Sequence, residues 1–370
     1  MAALPGATDV FVIGGGPAGL AAAIAARRRG FDVTLADCAE PPIDKACGEG
    51  VMPDGIAAAC TLGIDLRAAE GRILRGIRFH ENGASVEAPF PRGFGLGLRR
   101  IALHSLLVDC AAEAGVRLVW GARIAGLDPQ GVLADGRLVR ARWIVGADGG
   151  QSSVRRWAGL DACRRDSRRY GFRRHYRVAP WSEFMEIHWG DGCQLYITPV
   201  SASEVCVVLI SGNRRLRLDD VLPRFPEAAY RLAGHPSTHE RGGVSATRVL
   251  RSVWRGRIAL CGDASGSVDA ITGEGLCLSF QQAVSLAGAL AAGDLRLYQA
   301  EHRRIGKRPA FMAELMLLLG SSPRLRGRVI RAMASQPRLF AQMLAMHVGE
   351  LSPMALATNG LALGWQMLTL

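Results

Sequence analysis

The sequence lacks the patterns of a metal protein or a disulfide scaffold. Its nine cysteines, at positions 38, 47, 60, 110, 163, 193, 206, 261 and 277, are odd in number and never form a C-x-x-C pair. That argues against zinc sites and against a disulfide framework. Among the eight histidines only His235 and His239 lie four apart, and Pro236 between them disfavours the helix needed to aim both rings at one ion. No metal is expected. The N-terminus has no basic stretch followed by an apolar core and a cleavage site, so the chain reads as cytoplasmic.

Apolar residues and arginine are what it has in quantity. At 370 residues and 49% hydrophobic, the chain can bury a large core and fits roughly two domains. The formal charge is +12, and nine arginines (Arg155, Arg156, Arg164, Arg165, Arg168, Arg169, Arg173, Arg174 and Arg177) crowd into one short stretch. They read as a solvated face, or as a field that attracts an anionic cosubstrate such as NAD(P)H. No reading module or aromatic stacking motif accompanies the charge, so no nucleic-acid partner is expected.

Residues Asp9 to Ile13 form a short β-branched run ending in Gly14-Gly15-Gly16-Pro17-Ala18-Gly19, after which an alanine-rich helical stretch runs to Arg29. A second strand, Asp32 to Ala36, ends in Asp37. Gly14 permits a tight turn, Gly16 lets the backbone approach a pyrophosphate, and Gly19 lets the helix pack on the strand. Free N–H groups and the helix dipole then face the phosphates, and Asp37 stands near the spacing of a carboxylate that holds the adenosine ribose. The order strand, glycines, helix, strand, acid predicts a Rossmann unit without separating FAD from NAD.

Two later runs narrow the cofactor. Trp143 to Gly150 is a buried strand opening into Gly146-Ala147-Asp148-Gly149-Gly150, followed by Ser153, Val154, Arg155 and Arg156. Arg257 to Leu260 is another strand, ending in Cys261-Gly262-Asp263-Ala264. Together with the first motif these resemble the signatures of the para-hydroxybenzoate hydroxylase and geranylgeranyl reductase superfamily of FAD-dependent oxidoreductases. The resemblance implies that FAD is the cofactor and that Asp263 reaches its ribityl or ribose hydroxyls. It also implies cofactor contacts from Pro17, Ala18, Lys45, Ala46, Cys47, Gly48, Ile124, Asp148, Gly149 and Leu276. In Leu98 to Leu107, similar to the family's R-x-x-L-x-x-x-L helix, Arg100 would help hold the FAD phosphate or ribityl region, with its fixed fork of donors. As a plainer alternative, Arg99 and Arg100 only cap a helix.

The branch is read from two loops. Asp269-Ala270-Ile271-Thr272-Gly273-Glu274-Gly275 is similar to the D-x-x-T-G-E-G form of the geranylgeranyl reductases, and the helix after it, Leu276 to Ala292, would point its N-terminus at the reduced flavin. Lys45 to Pro53 resembles the C-G-x-G segment that approaches the flavin there, which makes Cys47 and Glu49 candidate catalytic residues on the substrate side. Read plainly, they are a turn cysteine and a surface acid. One departure stands against simple membership of that branch, since its Y-x-W-x-F-P segment is reduced to Tyr196-Ile197-Thr198-Pro199; the W-x-W-x-I-P segment of the related flavin halogenases is not evident, which argues against halogenation.

The expected fold is α/β: a three-layer Rossmann-type FAD domain over residues 1–71, 99–164 and 253–295, interleaved with an antiparallel-sheet substrate domain over 72–98 and 165–252. The alternation in Glu186-Ile187-His188-Trp189 predicts one covered face. Residues 296–370 read as C-terminal helices, basic and apolar, ending in an uncharged stretch from Leu351 that suits a packed helical tail; the alternative is contact with membrane lipids. A monomer or dimer acting on a lipophilic small molecule is expected. No second dinucleotide fold is visible, so NAD(P)H would reduce the flavin transiently. The expected chemistry is hydroxylation or epoxidation of an aromatic, polyketide or isoprenoid substrate by a monooxygenase. Reduction of isoprenoid or polyene C=C bonds is the alternative, and a non-catalytic or electron-carrying flavoprotein the third.

Overall fold

A computed structural model describes residues 3–351, apart from the side chains of 164–167. The uncharged tail lies outside these residues, save for Leu351. The chain opens with β1 (Ala7–Ile13), α1 (Pro17–Arg28), β2 (Val33–Asp37), β3 (Gly50–Val51), α2 (Pro53–Thr61), β4 (Arg72–Leu74), β5 (Gly76–Glu81), β6 (Ala84–Pro89) and β7 (Gly95–Gly97). Then come α3 (Arg100–Glu113), β8 (Arg117–Trp120), β9 (Ile124–Asp128), β10 (Gly131–Ala134), β11 (Arg137–Gly146) and α4 (Ser153–Trp157). β12 (Cys163–Tyr176), β13 (Phe184–Gly190), β14 (Cys193–Pro199), β15 (Val205–Ser211), α5 (Leu218–Val221), α6 (Pro226–Leu232) and β16 (Arg241–Leu250) follow. The chain returns through β17 (Trp254–Arg255) and β18 (Ile258–Leu260) to α7 (Gly275–Ala292), α8 (Leu295–Ser321), α9 (Pro323–Ser335) and α10 (Pro337–His347).

The first sheet has the order β17-β18-β11-β1-β2-β8, extended by the β9–β10 hairpin beside β11. β1 pairs in parallel with both β2 and β11, and β11 in parallel with β18. Its central strands are apolar on both faces because both faces are covered. Val10, Val12, Val33 and Leu35 pack with the helices α1, α3 and α7, whereas Phe11, Ile13, Ala36 and Ile144 pack with the hairpin and α4. The result is three layers, with every strand-to-helix turn of β1, β11 and β18 opening at the same sheet end.

The second sheet has the order β16-β12-β15-β14-β13-β5-β6 and is antiparallel except where β13 meets β5. It is covered on both faces, unlike the one-sided reading from alternation: every residue of β14 and β15 is buried. Leu195, Ile197, Val207 and Leu209 pack under α5 and α6 with Leu218, Val221 and Phe225. Trp189, Tyr196 and Val208 turn the other way, into the main core with Phe340 and Met343 of α10. Polar residues on these strands are therefore sealed by pairing. Glu186 takes Arg78 at 3.0 Å, and His80 and His188 stack beside it with ring centroids 4.2 Å apart. Segment 72–98 divides, since β4 and β7 leave the large sheet to form a small one with β3.

α7 is apolar and long enough to cross a membrane by length and composition, but it packs between α1, α2 and α8 as the central helix of the core.

Candidate active site

The glycine turn after β1 is held by sterics. Gly14 has φ +112°, and a Cβ there would sit 2.4 Å from the Ala147 carbonyl oxygen. At Gly19 a Cβ would sit 1.8 Å from the Gly14 oxygen, so only glycine lets α1 approach the strand. Gly16 differs, because a Cβ there would meet nothing within 4 Å. That open side lies at the N-cap of α1, whose first turn holds Pro17 and Ala18 and no acid, leaving the dipole and N–H groups free for an anion. Asp37 at the end of β2 accepts from Gly15 N at 2.6 Å and from Ala39 N at 2.8 Å, bracing the turn. His104 contacts the Gly15 carbonyl at 2.9 Å through Nε2, and burial holds its pKa below the usual histidine range. Ile124 begins β9 two residues beyond Ala122, whose N–H bonds the Asp37 carbonyl.

Loop 44–49 is the second wall. Glu49 has φ +59°, a strained left-handed setting for a residue with a side chain. Its buried carboxylate is what compensates. Oε1 accepts from Arg100 N at 2.9 Å and from Arg173 Nη1 at 3.3 Å, and Oε2 meets His175 Nε2 at 2.7 Å. Thr198 Oγ1 donates to Gly48 O at 2.9 Å, and Arg173 reaches Asp44 at 2.8 Å. Cys47 is half-buried; burial pushes its thiol up, with Arg100 opposing, so the neutral S–H form is favoured. Arg100 itself is buried, and its Nη1 has no hydrogen-bond partner.

The later motifs form the opposite wall. Asp148 turns inward: Ser152 Oγ, Ser153 N and Val154 N bond it at 2.5, 2.7 and 3.1 Å, which uses the carboxylate to start α4. Open space beside Gly149, at φ +79°, is what this motif leaves for a ligand. Asp263 instead faces outward and pairs with Lys45 at 3.0 Å across the gap between the walls. Gly262 beside it is required, since its Cβ would lie 2.5 Å from that of Ala18. Gly273, at φ +69°, and Gly275 flank the start of α7 with nothing within 4 Å of an added Cβ, and Leu276 is half-buried behind them.

Both walls hang from the second sheet. Tyr196 donates to Ile271 O at 2.6 Å, and Arg169 pairs with Asp269 at 2.7 Å, fixing the far wall. Thr198, Arg173 and His175 fix the near one. Nothing lies within 4 Å of a Cβ added at Gly48, Gly149, Gly273 or Gly275, and Arg100 keeps a buried guanidinium nitrogen with no hydrogen-bond partner among the described residues. Flat-ring, phosphate and ribityl recognition all fit that set.

Several features were invisible in sequence. Glu49 is an interior anchor rather than a surface acid, with its carboxylate already paired. The arginine cluster is no uniform solvated face: Arg155 is buried and bonds Asp161, Ala264 O and Gly150 O, while Arg169, Arg173 and Arg174 pair with Asp269, Asp44 and Asp219. His175 and Tyr196 lie on strands far along the chain, and no local signal marks them. Glu49 and His175 lie beside Cys206, and Glu186 lies beside the stacked pair His80 and His188. An arginine neutralises the carboxylate in each cluster, Arg173 in one and Arg78 in the other.

Comparison with known proteins agrees with this geometry. A family model described as an FAD binding domain matches residues 7–191. The menaquinone reductase of Mycobacterium tuberculosis is 29% identical over 319 residues, covering 78% of this chain and 77% of that protein. The digeranylgeranylglycerophospholipid reductase of Methanosarcina acetivorans is 31% identical, covering 79% and 78%. The 6-methylpretetramide 4-monooxygenase of Streptomyces rimosus is 35% identical, but over 41% of each chain. In fold, a geranylgeranyl bacteriochlorophyll reductase-like protein from Thermoplasma acidophilum superposes with a TM-score of 0.77 at 20% identity, covering 89% of this chain and 92% of its own. With its glycine turn, its two later motifs and relatives matched over more than three quarters of its length, the chain belongs to the FAD-binding family of flavin-dependent oxidoreductases, and FAD is its cofactor.

Proposed function

We propose that this FAD-dependent oxidoreductase reduces carbon–carbon double bonds of an isoprenoid lipid, with NAD(P)H as the transient reductant. This reverses the order of the two readings drawn from sequence. The observation that carries it is the place of Cys47, a half-buried thiol on a loop whose anchor, Glu49, is wholly interior; burial pushes that thiol up, which favours S–H. Saturating a double bond needs a hydride at one carbon and a proton at the other; oxygen insertion needs no such donor at this place. FAD, when bound, supplies the hydride. Cys47 would give the proton through its S–H, and the resulting thiolate would be reprotonated from solvent. Glu49, Arg173 and His175 fix the thiol's position without touching substrate. Two relatives that match over 78% and 79% of the chain are named as reductases, which supports this order, while a 2-heptyl-3-hydroxy-4(1H)-quinolone synthase of Pseudomonas aeruginosa matches over 75% of it.

A lipid substrate also suits the exposed side of the C-terminal helices. Leu297, Phe311 and Leu318 stand exposed on one stripe of α8, among Arg303, Arg304 and Lys307, with Arg324, Arg328 and Arg331 exposed on α9. Basic side chains around exposed apolar ones favour an acidic lipid surface. Sedimentation with anionic vesicles that persists unchanged in high salt would contradict this contact.

The reaction is tested by incubating the FAD-loaded protein with NADPH and an unsaturated polyprenyl lipid that carries no quinone ring, then weighing the product. Gain of two hydrogens without oxygen supports reduction. Gain of one oxygen atom, seen only in air, would replace it with oxygenation.

A further inference from the structure

Glu274 sits between the two open glycines Gly273 and Gly275, yet its side chain points away from them. It is 2% exposed and enters a sealed space where four elements meet: Asp54 on α2, Gln281 on α7, Arg308 on α8 and His347 at the end of α10. Arg308 Nη2 is 2.5 Å from Asp54 Oδ2 and 3.6 Å from Glu274 Oε1. Asp54, held also by Gln281 at 3.0 Å, therefore balances the arginine. Three buried side-chain atoms of this group have no hydrogen-bond partner among the described residues, Arg308 Nε, Glu274 Oε2 and His347 Nδ1, and the last two face each other at 4.0 Å.

A carboxyl oxygen and an imidazole nitrogen in that position need one proton between them. A carboxylic O–H donating to Nδ1 would satisfy both after a side-chain shift of about 1 Å. Two ionised groups would be costly there, because both side chains are buried and the neighbouring cation, Arg308, is already engaged by Asp54. Burial acts in the same sense on each partner, pushing Glu274 up to about 8 and His347 down to about 4.

We infer that Glu274 and His347 hold a single proton behind the flavin end of α7, and that this proton sets the field which the helix N-terminus presents to the ring. The second half rests on the reading that the flavin lies against Gly273 and Gly275. With the proton in place, the local charges cancel and the α7 dipole favours the electron-rich reduced ring. Once the proton is lost, an uncompensated carboxylate at the same helix end opposes the dipole. Glu274 is thus a positioning residue of charge, acting through α7 and not by contact with substrate.

Two measurements test this. The reduction potential of the FAD-loaded protein, followed from about pH 6 to about pH 9.5, should coincide with that of Glu274→Gln at low pH. It should fall below the variant's above pH about 8, by at least tenfold in the reduction equilibrium, about 30 mV for two electrons. Parallel curves would overturn the effect on the ring. Infrared spectra of the wild-type protein, with or without flavin, should show a protonated carboxylic acid band at neutral pH that disappears as pH rises through about 8 and is missing in Glu274→Gln. Lack of that band at neutral pH would overturn the shared proton itself. A normal band with parallel potentials would place the fault in the flavin's position and not in the proton.

Discussion

Glu49 Oε2 and His175 Nε2 lie 2.7 Å apart, with neither side chain more than 1% exposed. This contact ties the strained turn of loop 44–49 to β12, across 126 residues of sequence. Glu49→Gln removes the charge that balances Arg173 and leaves His175 with a weaker partner. The variant should lose about 1–3 kcal/mol in urea unfolding, and bind FAD more weakly as the loop relaxes. Unchanged stability and affinity would mean that Glu49 does not anchor the wall.

The glycine turn offers a paired test. Gly19→Ala drives a Cβ into the Gly14 carbonyl, so both stability and FAD content should fall. Gly16→Ala meets open space in the protein alone and should melt at the wild-type temperature without FAD while binding the cofactor poorly. Calorimetry of the flavin-free proteins, followed by FAD titration, separates the two.

Arg100 carries a buried guanidinium nitrogen with no protein partner. Arg100→Met keeps much of the apolar stem and removes the donors. FAD affinity measured by fluorescence quenching should drop about tenfold or more, the value of one charge-assisted hydrogen bond of about 1.5–3 kcal/mol. Equal affinity in the variant would reduce Arg100 to a helix-starting residue.

The glycine motifs were legible because a Rossmann turn is local: Gly14, Gly19 and Asp37 lie on consecutive elements, and sterics fix them. Asp263 and Gly273 were legible through their place beside strand and helix ends. The walls' suspension was not. Arg173, His175, Tyr196 and Thr198 act on loops about 75 to 150 residues away, as bonds such as Tyr196 to Ile271 O and Thr198 to Gly48 O show, and no periodicity encodes such a pairing. Asp148 shows the converse limit, since the motif named its position but not that Ser152 and the α4 N–H groups would claim its carboxylate. The alternation of Glu186 to Trp189 also misled, because polar residues sealed by Arg78 mimic a wet face.

Acid should weaken the fold through its buried and half-buried histidines. His302 bonds Ser265 Oγ at 2.9 Å, and burial lowers its pKa to about 4; His104 is lowered by the same cause. His302 therefore stays neutral in the folded chain down to about pH 4, while the unfolded chain protonates near the usual value of about 6.5. The unfolded state therefore binds more protons below about 6.5, and His302 should cost stability progressively down to about pH 4, at no more than about 1.4 kcal/mol per pH unit. Urea midpoints at about pH 7 and about pH 5 should differ less in His302→Gln than in wild type. An identical loss in both would remove His302 as the cause.

The central claim, hydride and proton delivery to a double bond, is met most directly by a single-turnover measurement under argon. The protein is reduced with one equivalent of NADPH, mixed with an unsaturated polyprenyl lipid, and followed by flavin absorbance. Reduction of the lipid predicts that the oxidised flavin spectrum returns without oxygen, and that Cys47→Ala slows this return by about a hundredfold or more while leaving the NADPH step unchanged. A flavin that stays bleached until air is admitted would contradict it.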